Sequence, residues 1–201
     1  MALFVQLDGR ETPAESPWTG PIVLQVFYCR VCDDWEPFSE AHVVRAVPAA
    51  ELVAPRTDAA AQLPGRAVVK WEAFHDSPHP EEQGALGLHL DYDHKAGIGT
   101  VRCPELGLNI PNLRLDAQDD DGKELAEAIG MAAPGDKLGG WPAWVQNVEY
   151  PSCPRCSATM RHLFQIDSNC GVDHMFGDAG CGHVSQCPAH PDVLAFTWGC
   201  C

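Results

Sequence analysis

The sequence predicts a mainly β protein of the α+β class, built from antiparallel sheets with few short helices. Three observations predict it. Runs dense in β-branched and aromatic residues recur near both ends of the chain, at 3–8, 22–28, 160–167 and 193–198. Turn-forming residues separate them, with 18 glycines and 17 prolines in 201 residues. No stretch alternates strand and helix in the βαβ manner, which disfavours a doubly wound parallel sheet.

Leu3-Phe-Val-Gln-Leu-Asp8 reads as the first strand, and a loop containing Pro17, Gly20 and Pro21 follows it. Ile22-Val-Leu-Gln-Val-Phe-Tyr28 reads as the second and ends at Cys29. Residues 41–47 form a third, stopped by Pro48, which has no N–H to give a ladder. Residues 66–75 alternate well enough for a further strand between Gly65 and Pro78. Residues 76–136 show little period, and their one predicted helix is 122–131, with Leu125 and Ile129 at helical spacing behind Asp121 as N-cap. Pro134–Gly140 is a turn leading into Trp141-Pro-Ala-Trp144. Strands follow at 160–167 and 193–198, with a turn at Gly177–Gly182 between them. Leu3–Asp8 echoes Leu163-Phe-Gln-Ile-Asp167, and each run precedes a strand with cysteine near its end, Cys29 or Cys187. Duplication of a β unit and coincidence both remain open at this length. The organisation read from the chain is one domain over 1–201. It comprises an N-terminal β unit (about 1–48), an irregular insertion (about 49–136) and a C-terminal β unit with the Cys-rich site (about 137–201).

Thirteen Lys and Arg against 28 Asp and Glu give a formal charge of −15 and a pI near 4.8. A surface that acidic repels phosphate backbones and anionic membranes, so neither nucleic acid nor membrane is an expected partner. No apolar run reaches the ~18–20 residues of a membrane-spanning helix. The start lacks a basic segment and reaches Asp8 early, which does not read as a secretory signal. A soluble, cytoplasmic chain is expected, and in a reducing compartment its 10 cysteines point to metal before disulfides.

Cys153-Pro-Arg-Cys156 and Cys187-Pro-Ala-His190 carry the strongest chemistry. A C-x2-C turn presents two thiolates to one ion, and two such knuckles supply three thiolates and an imidazole, a closed tetrahedral set for structural Zn²⁺. The bland alternative is four reduced side chains without an ion. Cys29-Arg-Val-Cys32 repeats the spacing without a second knuckle, and so reads either as a second metal site or as inert thiols. The carboxylates Asp33, Asp34 and Glu36 beside it argue against a nucleophilic thiolate. Asp116–Gly122 resembles a calcium loop but puts Ala117 and Ala128 at ligand positions, so it reads as a solvated acidic loop. Pro78 and Pro80 deny His75 and His79 a helical ligand spacing. No nucleophile elbow, phosphate loop or dinucleotide fingerprint is present. Trp141, Trp144 and Trp198 read as core anchors, with the lining of a peptide groove as the alternative.

Gly135-Asp-Lys-Leu-Gly-Gly-Trp-Pro-Ala-Trp144, Cys153-Pro-Arg-Cys156, Leu163-Phe-Gln-Ile-Asp167 and Phe176-Gly-Asp-Ala-Gly180, in that order, resemble the bacterial YwqG-like family. Val5-Gln-Leu-Asp8 with Ile22–Tyr28 resembles its N-terminal strand pair, and the C-terminal order is similar to the eukaryotic programmed cell death protein two family. The resemblance implies a mostly β, duplicated fold and a chaperone-like module that binds protein or peptide. Eukaryotic members serve a ribosomal protein, and some bacterial members are linked to toxin immunity. The expected function is therefore a non-enzymatic, zinc-stabilised binding module, its acidic surface suited to a basic client. A metal- or thiol-dependent enzyme using Cys29 and Cys32, or His75, His79 and His183, is the alternative.

Overall fold

The structure is a computed structural model that describes residues 1–32, 34–52, 63–74, 76–93, 98–104, 107–114 and 132–200. It divides into two compact units, one of residues 1–73, 134–140 and 144–201, the other of 74–133 and 141–143.

The first unit opens with β1 (Ala2–Asp8), β2 (Ile22–Tyr28) and β3 (His42–Pro48), an antiparallel meander in chain order. The second unit carries one short helix, α1 (Pro80–Ala85), and a meander of β4 (His89–Asp93), β5 (Ile98–Cys103) and β6 (Leu108–Arg114). The chain then returns to the first unit as β7 (Lys137–Leu138), β8 (Arg161–Asp167), β9 (Cys181–Gln186) and β10 (Leu194–Gly199), ordered β10-β9-β8-β7 and antiparallel throughout. The mainly β, antiparallel class holds across the described residues, whose helical content is α1 and a 3-10 turn at Ala49–Glu51.

The two sheets of the first unit share one core. Leu24, Val26 and Tyr28 of β2 meet Ile166 of β8, Val184 of β9 and Phe196 of β10 in a single buried cluster. Phe176, from the connection before β9, sits 5.7 Å from Tyr28 and 5.8 Å from Phe196, ring to ring. Burial of side chains this large stabilises by roughly 1.5–3 kcal/mol each.

β1 and β8 match in detail. Each skips one residue in its register with the next strand, at Phe4 between Leu3 and Val5, and at Leu163 between His162 and Phe164. Each skipped residue stands four places before the strand's terminal aspartate. Each aspartate then accepts a backbone N–H two residues on: Arg10 to Asp8 at 3.0 Å, and Asn169 to Asp167 at 2.8 Å.

Several expectations need correction. The strand expected over 66–75 is not formed by its described residues: 66–74 run without strand pairing, with Val68 and Val69 turned to solvent and Trp71 half buried, and residue 75 lies outside the described residues. The stretch 76–136 is more regular than its sequence suggests, since β4, β5 and β6 lie within it. These strands escape a hydrophobic-period reading because β6 holds Pro111 and Asn112, the latter at φ 58°, across a register shift. The helix at 122–131 and the Asp116–Gly122 loop fall outside the described residues.

Candidate metal centre

The first knuckle is a tight hairpin just before β8. Ser152 bridges Thr159, Met160 N–H donates to Pro151 O, and Cys153 N–H donates to Ala158 O at 2.9 Å. Ser157 takes φ 58°, a left-handed turn that lets its N–H donate to Cys153 O at 2.8 Å. The second knuckle joins β9 to β10. Cys187 N–H donates to Val193 O at 3.0 Å and Val193 N–H to His190 O at 2.8 Å, which folds His190 back toward Cys187. Both turns therefore grow from the ends of paired strands, and the ladders of β8, β9 and β10 hold them face to face.

The four predicted ligands, Cys153, Cys156, Cys187 and His190, converge, with ligand atoms all within 4.8 Å of one another. Cys156 Sγ lies 3.7 Å from Cys187 Sγ, and His190 Nδ1 lies 3.6 Å from Cys187 Sγ and 3.8 Å from Cys153 Sγ. A tetrahedral zinc with bonds of about 2.3 Å to sulfur and 2.0–2.1 Å to nitrogen has sulfur–sulfur edges of about 3.8 Å and sulfur–nitrogen edges of about 3.6 Å. The observed spacings fit that ion, so this Cys3His group could hold a metal. Burial pushes the Cys153 thiol up, but the backbone N–H groups of Arg155 and Cys156, with Cys187 and His190, outweigh it and lower it to about 6. At Cys156 the Ala158 N–H pulls the thiol down, yet burial and the neighbouring thiols Cys153 and Cys187 leave it raised. A thiolate clustered with further thiols is the condition a bound cation relieves.

Cys153 and Cys187 are buried with Met160, Val193 and Ala195 in a small cluster of their own. Cys156 faces solvent. Arg155 of the first knuckle pairs with Asp192 beyond the second at 2.7 Å, an exposed link that contributes little to stability. A tetrahedral ion held by all four would have only protein ligands, which would leave no position for a reacting water.

Other predicted residues fare differently. Cys29 and Cys32, read as a second metal site or as inert thiols, are joined by a disulfide in this structure, so neither sulfur is a thiolate there. Among the described residues, Cys153, Cys156, Cys187 and His190 are the one group of three or more converging ligand atoms. His75 lies outside the described residues. His79 caps α1 by accepting from Glu81 N–H, in a reciprocal capping box with Glu82. His183 is buried in β9, its ring 4.7 Å from Trp144. Trp198 is a core residue, and its Nε1–H donates to Asp34 O at 3.1 Å.

Two features went unread in the sequence. Asp136 accepts N–H groups from Asp167 (2.8 Å) and Gly171 (2.9 Å), while Asp167 accepts from Gly135 (2.9 Å) and Gln165 Nε2 donates to Gly135 O (2.8 Å). The Gly-Asp and Phe-Gln-Ile-Asp motifs are thus two halves of one backbone lock. The second feature is a polar row crossing four strands: Lys137 of β7, Gln165 of β8, His183 of β9 and Thr197 of β10 are successive cross-strand partners, all buried. His162 adjoins it, 5.7 Å from His183 ring to ring, and its two ring nitrogens are buried without a hydrogen-bond partner among the described residues. Period-two alternation of polar residues normally marks a solvent face, so sequence alone could not announce a buried one.

A family model described as "Domain of unknown function (DUF1963)" matches residues 1–185. A curated relative, "Uncharacterized protein YpfL" of Salmonella typhimurium (strain LT2), is 57% identical over 30 residues, which is 15% of this chain and 7% of that protein. The match spans only that small fraction of the relative's length. No solved structure matches. Among the described residues, no helix is long and apolar enough to cross a membrane.

Proposed function

The chain belongs to the DUF1963 family, and we propose that it is a non-enzymatic, zinc-stabilised module that binds a protein or peptide client. The observation that carries this reading is the closed Cys3His set, whose spacings match a four-coordinate zinc and whose four positions are all protein atoms. Such an ion acts on folding: it ties the ends of β8, β9 and β10, and its binding energy becomes folding energy. Residues 153, 156, 187 and 190 hold it, and the chemistry it supplies is a fixed cross-link. The matched bulges and aspartate turns of β1 and β8 support descent from a duplicated β unit, in keeping with the YwqG-like resemblance. The acidic balance suits a basic client, in the manner of a chaperone or a toxin-immunity protein, and a cytoplasmic setting keeps the ligand thiols reduced.

The enzyme reading has less support, because His79 is spent on a helix cap and His183 is buried in β9 against Trp144. Metal analysis of the purified chain should find one zinc, and chelation should lower the thermal midpoint of the first unit. His190→Ala should do the same without chelator. An unchanged melt after complete metal removal would sink the structural role. Capture from a native lysate at low and high salt then tests the client: one dominant, salt-sensitive basic protein is expected. Stable, metal-loaded bait that retains nothing counts against binding.

A further inference from the structure

In β9 and β10 the core takes Val184, Phe196 and Trp198, so the pleat turns His183 and Thr197 to the opposite face, where they are cross-strand partners. There the two line a cleft with Trp144, Gln146, Asn147 and Glu149, a space of about 310 Å³ with its open mouth included. The lining residues all belong to the first unit. Three polar atoms of these side chains are buried without a hydrogen-bond partner among the described residues: Trp144 Nε1, His183 Nδ1 and Thr197 Oγ1. His183 is 2% exposed and Thr197 8%. A buried polar group left unpaired is costly, and each one calls for a reason. Trp18, His162 and Ser185 hold such atoms as well, but these three side chains line one and the same cleft. A few convergent polar groups set among aromatic walls are what orients a guest in a binding pocket.

The chemistry of the three groups selects the guest. An indole N–H only donates, so the guest must bring an acceptor to Trp144. A hydroxyl donates and accepts, and a neutral imidazole nitrogen does one or the other, so Thr197 and His183 can serve an acceptor and a donor side by side. Charge of either sign is disfavoured. Burial, His162 and Lys137 hold the His183 imidazole neutral, and the same surroundings oppose any other cation brought against it. Glu149, the one carboxylate among the described lining residues, is exposed and opposes an anion. The rings of Trp144 and His183, with centroids 4.7 Å apart, are flat walls that favour a flat guest. We propose that this cleft binds a small, uncharged, flat ring carrying an amide, whose carbonyl accepts from Trp144 and whose N–H meets Thr197 or His183. No lining residue is a knuckle ligand, so the cleft can be tested apart from the metal and from any protein client.

Benzamide, benzoate and benzamidine share one shape and are neutral, anionic and cationic in turn, which makes them the probes. Each is titrated into the full chain and followed by proton–nitrogen NMR at the indole N–H of Trp144, whose signal Trp144→Phe identifies by removing it. Benzamide should shift that signal to saturation and bind at least about tenfold tighter than either charged probe. Thr197→Val keeps the shape and removes the hydroxyl. It should weaken benzamide about fivefold and melt no lower than the parent, because an unpartnered buried hydroxyl adds nothing to the fold. Trp144→Phe, which keeps a ring and loses the donor, should weaken benzamide to a similar degree; should it not fold, Thr197→Val carries the test alone. An indole signal that benzamide leaves unmoved up to its solubility limit overturns the proposal and leaves the cleft to water. Tighter binding of benzoate or benzamidine overturns it, and so does acetamide binding as tightly as benzamide, since the ring would then count for nothing. A Thr197→Val chain that melts well below the parent overturns it too, because the hydroxyl would then be holding the fold and not a guest.

Discussion

His162 should make the protein acid-sensitive well above the range where carboxylates titrate. Its two ring nitrogens are buried without a hydrogen-bond partner among the described residues. Burial first, and then the Lys137 cation, push its pKa down to about 3 from an ordinary 6.5. The sign follows from linkage. The unfolded imidazole takes up its proton as pH falls through 6.5 while the folded one does not, so stability is full above that pH and drains away toward pH 3. At pH 5 the unfolded state is favoured by about 1.5 logarithmic units of protonation at this residue, which is about 2 kcal/mol. His183, lowered by its own burial, by His162 and by Lys137, acts in the same direction. The assay is denaturant unfolding of the zinc-saturated chain at several pH values between about 5 and 7.5, alongside His162→Gln. Protonation of the metal-ligating thiols is common to both chains and cancels in the difference. The variant should lose about 2 kcal/mol less than the parent over that interval. Parallel pH profiles would refute the claim that this imidazole is held neutral by the fold.

Two further perturbations test packing and surface charge. A Cβ on Gly182 would lie 2.6 Å from the Phe196 ring and 3.2 Å from that of Phe176, both fixed in the core, so Gly182→Ala should cost roughly 1–3 kcal/mol in thermal or denaturant unfolding. A variant as stable as the parent would show that the β9–β10 core is looser than described. Arg155→Ala removes an ion pair whose side chains are 54% and 64% exposed; it should cost less than about 1 kcal/mol and leave metal stoichiometry unchanged. A loss of metal would reveal a role for the cation at the thiolates.

The sequence is most legible where one face of a strand is apolar and the chain must bury it. Ile22–Tyr28 carries Leu24, Val26 and Tyr28 on its core face, and β2 has the predicted bounds. The knuckles are legible for a different reason: C-x2-C is a local geometry, and pairing two such turns needs only that their strands be neighbours, which β8 and β9 are. Long-range pairing is what stays hidden. Residues 66–75 carry the same local preferences as a strand, yet whether a sheet edge waits for them is decided by chain elsewhere. The buried polar row is hidden in the same way, because the covering that makes Gln165 and His183 interior is not written in β8 or β9.

Cys29–Cys32 is where local likeness and tertiary context diverge most, and it yields the sharpest test of the metal assignment. Cys29 ends β2 as Cys187 ends β9, and each donates its N–H to the segment entering the third strand of its meander, to Ala41 O at 2.7 Å and to Val193 O at 3.0 Å. The two turns are thus counterparts, one reading Cys-x2-Cys and the other Cys-x2-His. What differs is the facing partner: the Cys153–Cys156 hairpin stands opposite the second turn, and among the described residues no comparable ligand group gathers at the first. Two ligands do not make a closed tetrahedral site, and the pair instead bonds to itself. The double variant Cys29→Ala/Cys32→Ala should therefore keep one zinc per chain. It should lose at most about 2 kcal/mol, the loop-closure entropy of so short a ring. Cys187→Ala should shed the metal and melt far earlier, because a buried site left with three ligands and a cavity forfeits both the ion and the strand ends it ties. The decisive result is the metal count of the reduced parent chain. A second equivalent of zinc that vanishes in the double variant would mean the first turn recruits ligands after all, and that its disulfide is only the oxidised face of a second site.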